Sequence, residues 1–370
     1  PVCAPTRACL MTRRYNYRTG AIDTYLGRAM MYPDEITIPE VLGPAGYRTG
    51  IFGKWHLGDN YPLRSIDQGY QESLVHMGGG IGQPSDPPGN SYFDPTLQHN
   101  GEWVEREGYC TDIFTDAAIR FIEDNRDRPF FCYLPTNAPH TPLQIADEYV
   151  EPFRKMGLDE TTAKVYGMVK NIDDNVGRLL RRLEELDLED DTIVIFLTDN
   201  GPQQERYTCG LRGRKGSVYE GGIRVPFFIR WPGRFEAGRK IDRIAGHIDV
   251  MPTLAAICGG EVPGGIKIDG RSLVPLLEDE TAASEWPDRT LFFQWHRGDE
   301  PELYRACAAR NQRWKLVNGK QLFDIENDPL EKNDVADKHP DIVAKLAEAY
   351  EEWFRDVSST RGYDPPRIFL

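Results

Sequence analysis

Apolar residues along the chain fall into short dense runs separated by longer stretches with helical spacing. The runs YRTGIFGKW (47–55), RPFFCYLP (128–135), TIVIFLTD (192–199) and RVPFFIRWP (224–232) are brief and rich in β-branched and aromatic residues. That pattern predicts buried strands. Residues 111–125 and 161–188 repeat apolar side chains at three- and four-residue intervals, which predicts helices. A third helix is predicted over 248–260, where a glycine pair supplies the stop. Strand and helix in alternation imply an α/β fold: a large mixed, mostly parallel sheet sandwiched by helices. The Gly/Pro-rich stretch 76–95 reads as a loop over a pocket rim.

The pattern changes after a polar linker near 278–289. Residues 291–296, 306–318 and 320–329 read as antiparallel strands, and 339–357 as an amphipathic helix. The expected division is a catalytic domain over 1–285 and a small α+β domain with an antiparallel sheet over 286–370, ending in a short tail.

Composition narrows the function class. A net charge of −14 argues against nucleic acid, whose binding rests on cations at the phosphates. It leaves small anionic substrates open, because a few local cations can outvote the global charge. No apolar run approaches membrane-spanning length. The seven cysteines include no CxxC pair, and an odd number leaves at least one unpaired or chemically special.

The candidate chemistry sits in five stretches. In CAPTRACLMT, Pro5 suits the first turn of a helix, which puts Cys3 at or just before the helix N-terminus. Exposed N–H groups there favour an anion, so Cys3 is either a nucleophile or a small buried residue near a cap. In GKWHLG (53–58), Lys54 and His56 are two apart and face one side of an extended segment. A cation beside an acid/base group suits a negatively charged reacting group. In APHTP, His140 stands between prolines just beyond a predicted strand, where α/β sheets place ligand groups. In TDNG, Asp199 and Asn200 are oxygen ligands suited to Ca²⁺ or Mg²⁺, though two such ligands cannot fill a calcium shell. In GLRGRKGSVYEGG, Lys215 with Arg212 and Arg214 can grip an anion, and the pattern is not a P-loop. Each stretch also allows a structural role. Together they imply transfer or hydrolysis of an oxyanion group helped by a divalent metal.

On these residues the chain resembles the type I sulfatases of the alkaline phosphatase superfamily. CAPTRACLMTRR is similar to their C-x-P-S/T-R signature, and GKWHLG, the His140 loop, TDNG and GRKGSVYEGGIRVP follow in the family's order. QLFDIENDPLEKNDVADKHPDIVAKL resembles the family's C-terminal domain. The resemblance implies an alkaline phosphatase-like fold. It also implies that a maturation enzyme oxidises Cys3 to formylglycine, whose hydrate attacks sulfur to give a covalent sulfo-enzyme. By the same carry-over Arg7 and Lys54 hold the formylglycine, and His56 assists deprotonation of its second hydroxyl. His140 and Lys215 bind the sulfate and serve the leaving oxygen. Asp199, Asn200 and the formylglycine of Cys3 ligate Ca²⁺. A periplasmic or secreted location is implied as well.

Two departures stand out. The family's other two metal ligands are adjacent aspartates on a strand N-terminal to the cysteine motif. This sequence has neither, so the expectation is an N-terminally incomplete chain with half a metal site and one strand missing. Arg13 occupies a place where the family usually has glycine. The expected substrate is a carbohydrate sulfate ester, with His296, Arg297 and Arg305 as candidate contacts to sugar hydroxyls or a second anion. The rivals are a phosphomonoester or phosphonate hydrolase of the same superfamily and a non-catalytic sulfated-glycan-binding protein.

Overall fold

The computed structural model describes residues 1–204, 207–279, 281–298 and 300–359; the expected tail over 360–370 lies outside them. Eleven strands form among these residues. The main sheet holds β1 (Arg48–Lys54), β2 (Glu72–His76), β3 (Thr96–His99), β4 (Glu102–Glu105) and β5 (Phe130–Tyr133), in the order β4-β3-β2-β1-β5. β1 pairs in parallel with both β2 and β5, while β3 and β4 add an antiparallel edge.

Period-two alternation loads both faces of this sheet. Ile51 and Val75 point into a core with helix Cys3–Thr12 and helix Val250–Cys258. Phe52 and Leu74 point into the opposite core, with helix Cys110–Asp124 and the long helix Glu160–Glu185. The three predicted helices therefore form, and the third stops at Gly259, whose φ of 70° is the left-handed turn that glycine takes without strain.

The sequence reading needs three corrections here. β2, β3 and β4 went unpredicted, as did helix Asp147–Lys155. β6 (Val194–Leu197) and β7 (Phe227–Arg230) pair only with each other among the described residues, antiparallel, and do not join the main sheet. Nor is this pair buried: Phe228 is 66 % exposed.

Between the open edges of β5 and β6 runs a cavity of about 1610 Å³. Apolar side chains line it from both cores, among them Leu10, Leu183 and Leu254.

The second sheet is antiparallel, ordered β11 (Gln321–Asp324), β10 (Trp314–Val317), β9 (Cys307–Arg310), β8 (Leu291–Gln294). One face packs on helix Pro340–Ser359 through Leu316, Tyr350 and Trp353. Its other face packs on Val218 and Tyr219. Beneath that contact Lys315 is fully buried between Glu220 (3.2 Å) and Glu331 (2.8 Å). This ion cluster ties the small sheet to the loop that carries Lys215.

Candidate active site

Cys3 is the first residue of helix Cys3–Thr12, with Pro5 inside the first turn. The helix ends on Arg13, whose φ of 59° is left-handed and whose N–H bonds to the Cys9 carbonyl. Arg13 therefore keeps the turn a glycine would favour, at the steric cost of its Cβ. Its carbonyl is capped by the N–H groups of Asp269 and Gly270.

Four groups from three other segments converge on Cys3. Lys215 Nζ lies 3.1 Å from its sulfur. Burial alone would push the Cys3 thiol up. Lys54, the neighbouring His140 and His56 imidazoles, and Lys215 outweigh it and hold the thiol well below its ordinary value. Arg7, one turn along the helix, donates to the Lys54 carbonyl (2.8 Å), to Tyr133 (3.3 Å) and to Asp199 (3.2 Å).

The two histidines have fixed tautomers. His56 Nε2 bonds to the Thr24 carbonyl at 2.9 Å, and His140 Nδ1 to the Thr141 carbonyl at 2.8 Å. A carbonyl only accepts, so each of these nitrogens carries the proton and the other nitrogen of each ring is left as an acceptor. His56 Nδ1 is buried without a hydrogen-bond partner among the described residues. Burial and Lys54 push the His56 pKa down, so the ring is held neutral.

The loop after β2 presses on both rings. A Cβ on Gly79 would come within 2.8 Å of His56 Cε1, and one on Gly80 within 2.9 Å of His140 Nδ1. This is the loop expected at the pocket rim, and close approach explains its glycines. The Lys54–His56 pairing arises differently from the expectation. β1 ends at Lys54, and His56 has φ 61°, a strained left-handed conformation for a non-glycine residue.

Asp199 and Asn200 follow β6 and line the same cavity as Cys3. Asn200 Oδ1 is buried and unpartnered, and Asp199 faces Arg7. Two oxygens aimed into one cavity suit a hard cation. They do not complete a shell, and no group of three or more His, Cys, Asp or Glu gathers among the described residues.

Other predicted residues part company. Of the basic loop only Lys215 reaches Cys3; Arg212 stacks on Tyr219 at 3.9 Å and bonds to the Glu331 carbonyl. His296 Nε2 accepts the Glu302 N–H, and Arg305 pairs with Glu302, so both are tied within their own loop. Arg297 stacks on Tyr25. Sequence reading missed Tyr133 and Thr24, which orient Arg7 and His56, and also His247, whose Nε2 bonds to the Thr198 carbonyl beside Asp199. Nothing local marks Tyr133 or Thr24. His247 stood at the start of a predicted helix, where its polarity among apolar neighbours was the available signal. All seven cysteines are free thiols.

The family model described as Sulfatase matches residues 1–260. The chain belongs to the sulfatase family. A second model, N-sulphoglucosamine sulphohydrolase C-terminal, matches residues 214–356. Human N-acetylgalactosamine-6-sulfatase is 30 % identical over 87 % of this chain and 64 % of its own length. The N-acetylglucosamine-6-O-sulfatase of Bacteroides thetaiotaomicron is 25 % identical over 94 % of this chain and 78 % of its own. The crystal structure of Ps i-CgsB in complex with k-i-k-neocarrahexaose superimposes with a TM-score of 0.86 at 30 % identity, covering 100 % of this chain and 84 % of that one. The phosphonate monoester hydrolase of Agrobacterium radiobacter shares the fold alone, with a TM-score of 0.66 at 20 % identity over 97 % of this chain and 86 % of that one. This sulfatase is thus a sulfuric ester hydrolase with an alkaline phosphatase-like fold. No helix among its described residues is long and apolar enough to cross a membrane.

Proposed function

We propose that this sulfatase hydrolyses a sulfate ester on a carbohydrate, with Cys3 matured to formylglycine by a separate enzyme. The observation that carries the reading is the convergence of Lys215, Lys54, His56 and His140 on Cys3. The hydrated aldehyde supplies one hydroxyl to take up the sulfuryl group and a second to expel sulfate and restore the carbonyl. Lys54 and Lys215 supply positive charge to the oxygens that become negative as sulfur is attacked. Arg7 orients the segment through the Lys54 carbonyl and Asp199. His56, neutral and with Nδ1 free, takes the proton of the second hydroxyl. His140, whose other nitrogen can take up the proton released by the attacking hydroxyl, passes that proton to the leaving alcohol oxygen.

Asp199 and Asn200 would hold a divalent cation, Ca²⁺ by its chemistry, which would draw charge from the sulfate oxygens. The remaining ligands belong to the slot between β5 and β6. We read that slot as the seat of one more strand bearing the two adjacent aspartates the resemblance implies. Two open strand edges facing an apolar cavity support it, because unpaired buried N–H and C=O groups are costly. We also divide the chain near residue 285 and place the protein in the periplasm or outside the cell.

The test is peptide mass mapping of protein from its native source, paired with rates on an aryl sulfate and the matching phosphate ester. An aldehyde at Cys3 and faster sulfate release are expected. An unmodified thiol with no turnover overturns the reading, and faster phosphate release moves it to the phosphoesterases.

A further inference from the structure

The contact between Lys215 Nζ and the Cys3 sulfur, at 3.1 Å, is braced by the backbone around it. The Lys215 N–H donates to the Pro202 carbonyl, and the Gly216 N–H donates to the carbonyl of Pro1, two residues before Cys3, each at 2.9 Å. The lysine loop is thus tied to the segment that carries the sulfur. Both side chains line the cavity between β5 and β6, which has room for a solute the size of a peroxide. Cys3 is bonded to no other cysteine. Cys9 stands in the same helix but about 9 Å farther along its axis, beyond the span of a disulfide.

A thiol fastened beside a primary amine has a reaction open to it that an isolated cysteine lacks. Oxidation carries a thiol to a sulfenic acid. That acid condenses with a nearby thiol or nitrogen, and otherwise goes on irreversibly to the sulfinic acid. At Cys3 the nitrogen is already in place, so its attack is intramolecular and outruns a second oxidant molecule from solution.

We propose that in any chain whose Cys3 is still a thiol, Cys3 and Lys215 form a reversible oxidative latch, a sulfur–nitrogen bond made under peroxide. In the first step the sulfur attacks one peroxide oxygen and the O–O bond breaks. Cys3 becomes a sulfenic acid, water leaves, and the peroxide is reduced as the sulfur is oxidised by two electrons. Lys215 Nζ gives one proton to the bare Nδ1 of His56 and then attacks the sulfur. The S–N bond forms, the S–O bond breaks, and the hydroxide departs with a second Nζ proton as water. The latch ties up both the sulfur and the amine and spares Cys3 the sulfinic acid. A small thiol reopens it by attacking the sulfur and releasing the amine. None of this requires sulfate ester turnover, so the latch stands or falls apart from the proposed function.

The test uses the full protein made without a maturation enzyme and treated with hydrogen peroxide. Digestion without reductant and mass mapping should recover the Cys3 and Lys215 peptides joined, two hydrogens lighter than their sum, and dithiothreitol should part them. Lys215→Arg keeps the cation but removes the nucleophilic amine, and Lys215→Met removes both. In each variant the link should be absent, and sulfinic acid at Cys3 should accumulate about tenfold faster. Wild-type Cys3 recovered as free thiol, disulfide or sulfinic acid, with Lys215 unlinked, overturns the latch. So does overoxidation at the wild-type rate in both variants.

Discussion

Lys215 Nζ lies 3.1 Å from Cys3 Sγ, although 212 residues separate them in the chain. The small C-terminal sheet brings them together, because it packs on Val218 and Tyr219 and so holds the Lys215 loop against the helix that begins at Cys3. Lys215→Ala removes a cation at the reacting group. A loss of about a hundredfold or more in kcat/KM is expected. The thermal midpoint, measured alongside, should barely move, since Lys215 is not part of either apolar core. A loss below threefold would take Lys215 out of the chemistry.

In protein made without a maturation enzyme, Cys3 stays a thiol and its titration can be read directly. Lys54 and its neighbours depress the pKa well below the ordinary 9.0, despite burial. A depressed acid keeps its anion to lower pH. Alkylation of Cys3 by iodoacetamide, followed by mass spectrometry, should therefore rise at a pH well below 9. Any stability this anion contributes is present above the unfolded thiol's pKa and lost as pH falls through the depressed value. Lys215→Met should move the alkylation midpoint up; an unmoved midpoint would contradict the assigned contact.

Gly79 and Gly80 are expected to be intolerant for a catalytic reason. Alanine at Gly80 places a methyl carbon against His140, and at Gly79 against His56. Each substitution should lower kcat by tenfold or more through displacement of an imidazole. Stability should change little, because the group met is a side chain at a pocket rim. Wild-type kcat in Gly80→Ala would show that His140 has room to spare.

Lys315→Met tests the joint between the two sheets. It leaves Glu220 and Glu331 buried around an apolar side chain, with Arg310 (3.1 Å) and Arg224 (4.0 Å) as the remaining cations at Glu220. Removing one partner of a buried ion cluster costs about 3–5 kcal/mol. Denaturant unfolding should show that loss, together with reduced activity from a loosened Lys215 loop. A change under about 1 kcal/mol would mean that the cluster is dispensable.

The sequence by itself determined the local elements and the identity of the reactive groups. Dense apolar runs marked β1, β5, β6 and β7, because β-branched and aromatic side chains favour extended backbone whether or not the strand is buried. Cys3 with Pro5, His140 between prolines and Asp199-Asn200 were legible because each chemistry leaves its mark within a few residues. β2, β3 and β4 escaped because short, mixed-polarity strands gain their stability from neighbours, not from their own pattern. The strained φ at His56, the approach of Gly79 and Gly80, and the tautomers set by Thr24 and Thr141 also escaped. Each depends on a backbone carbonyl or ring that only folding brings near. Tertiary structure alone decided that Lys215 and not Arg212 reaches Cys3, and that Arg297 stacks on Tyr25 while Arg305 pairs with Glu302. Long-range contacts are fixed by how cores pack, and no spacing along the chain encodes which of several neighbouring cations that packing turns inward.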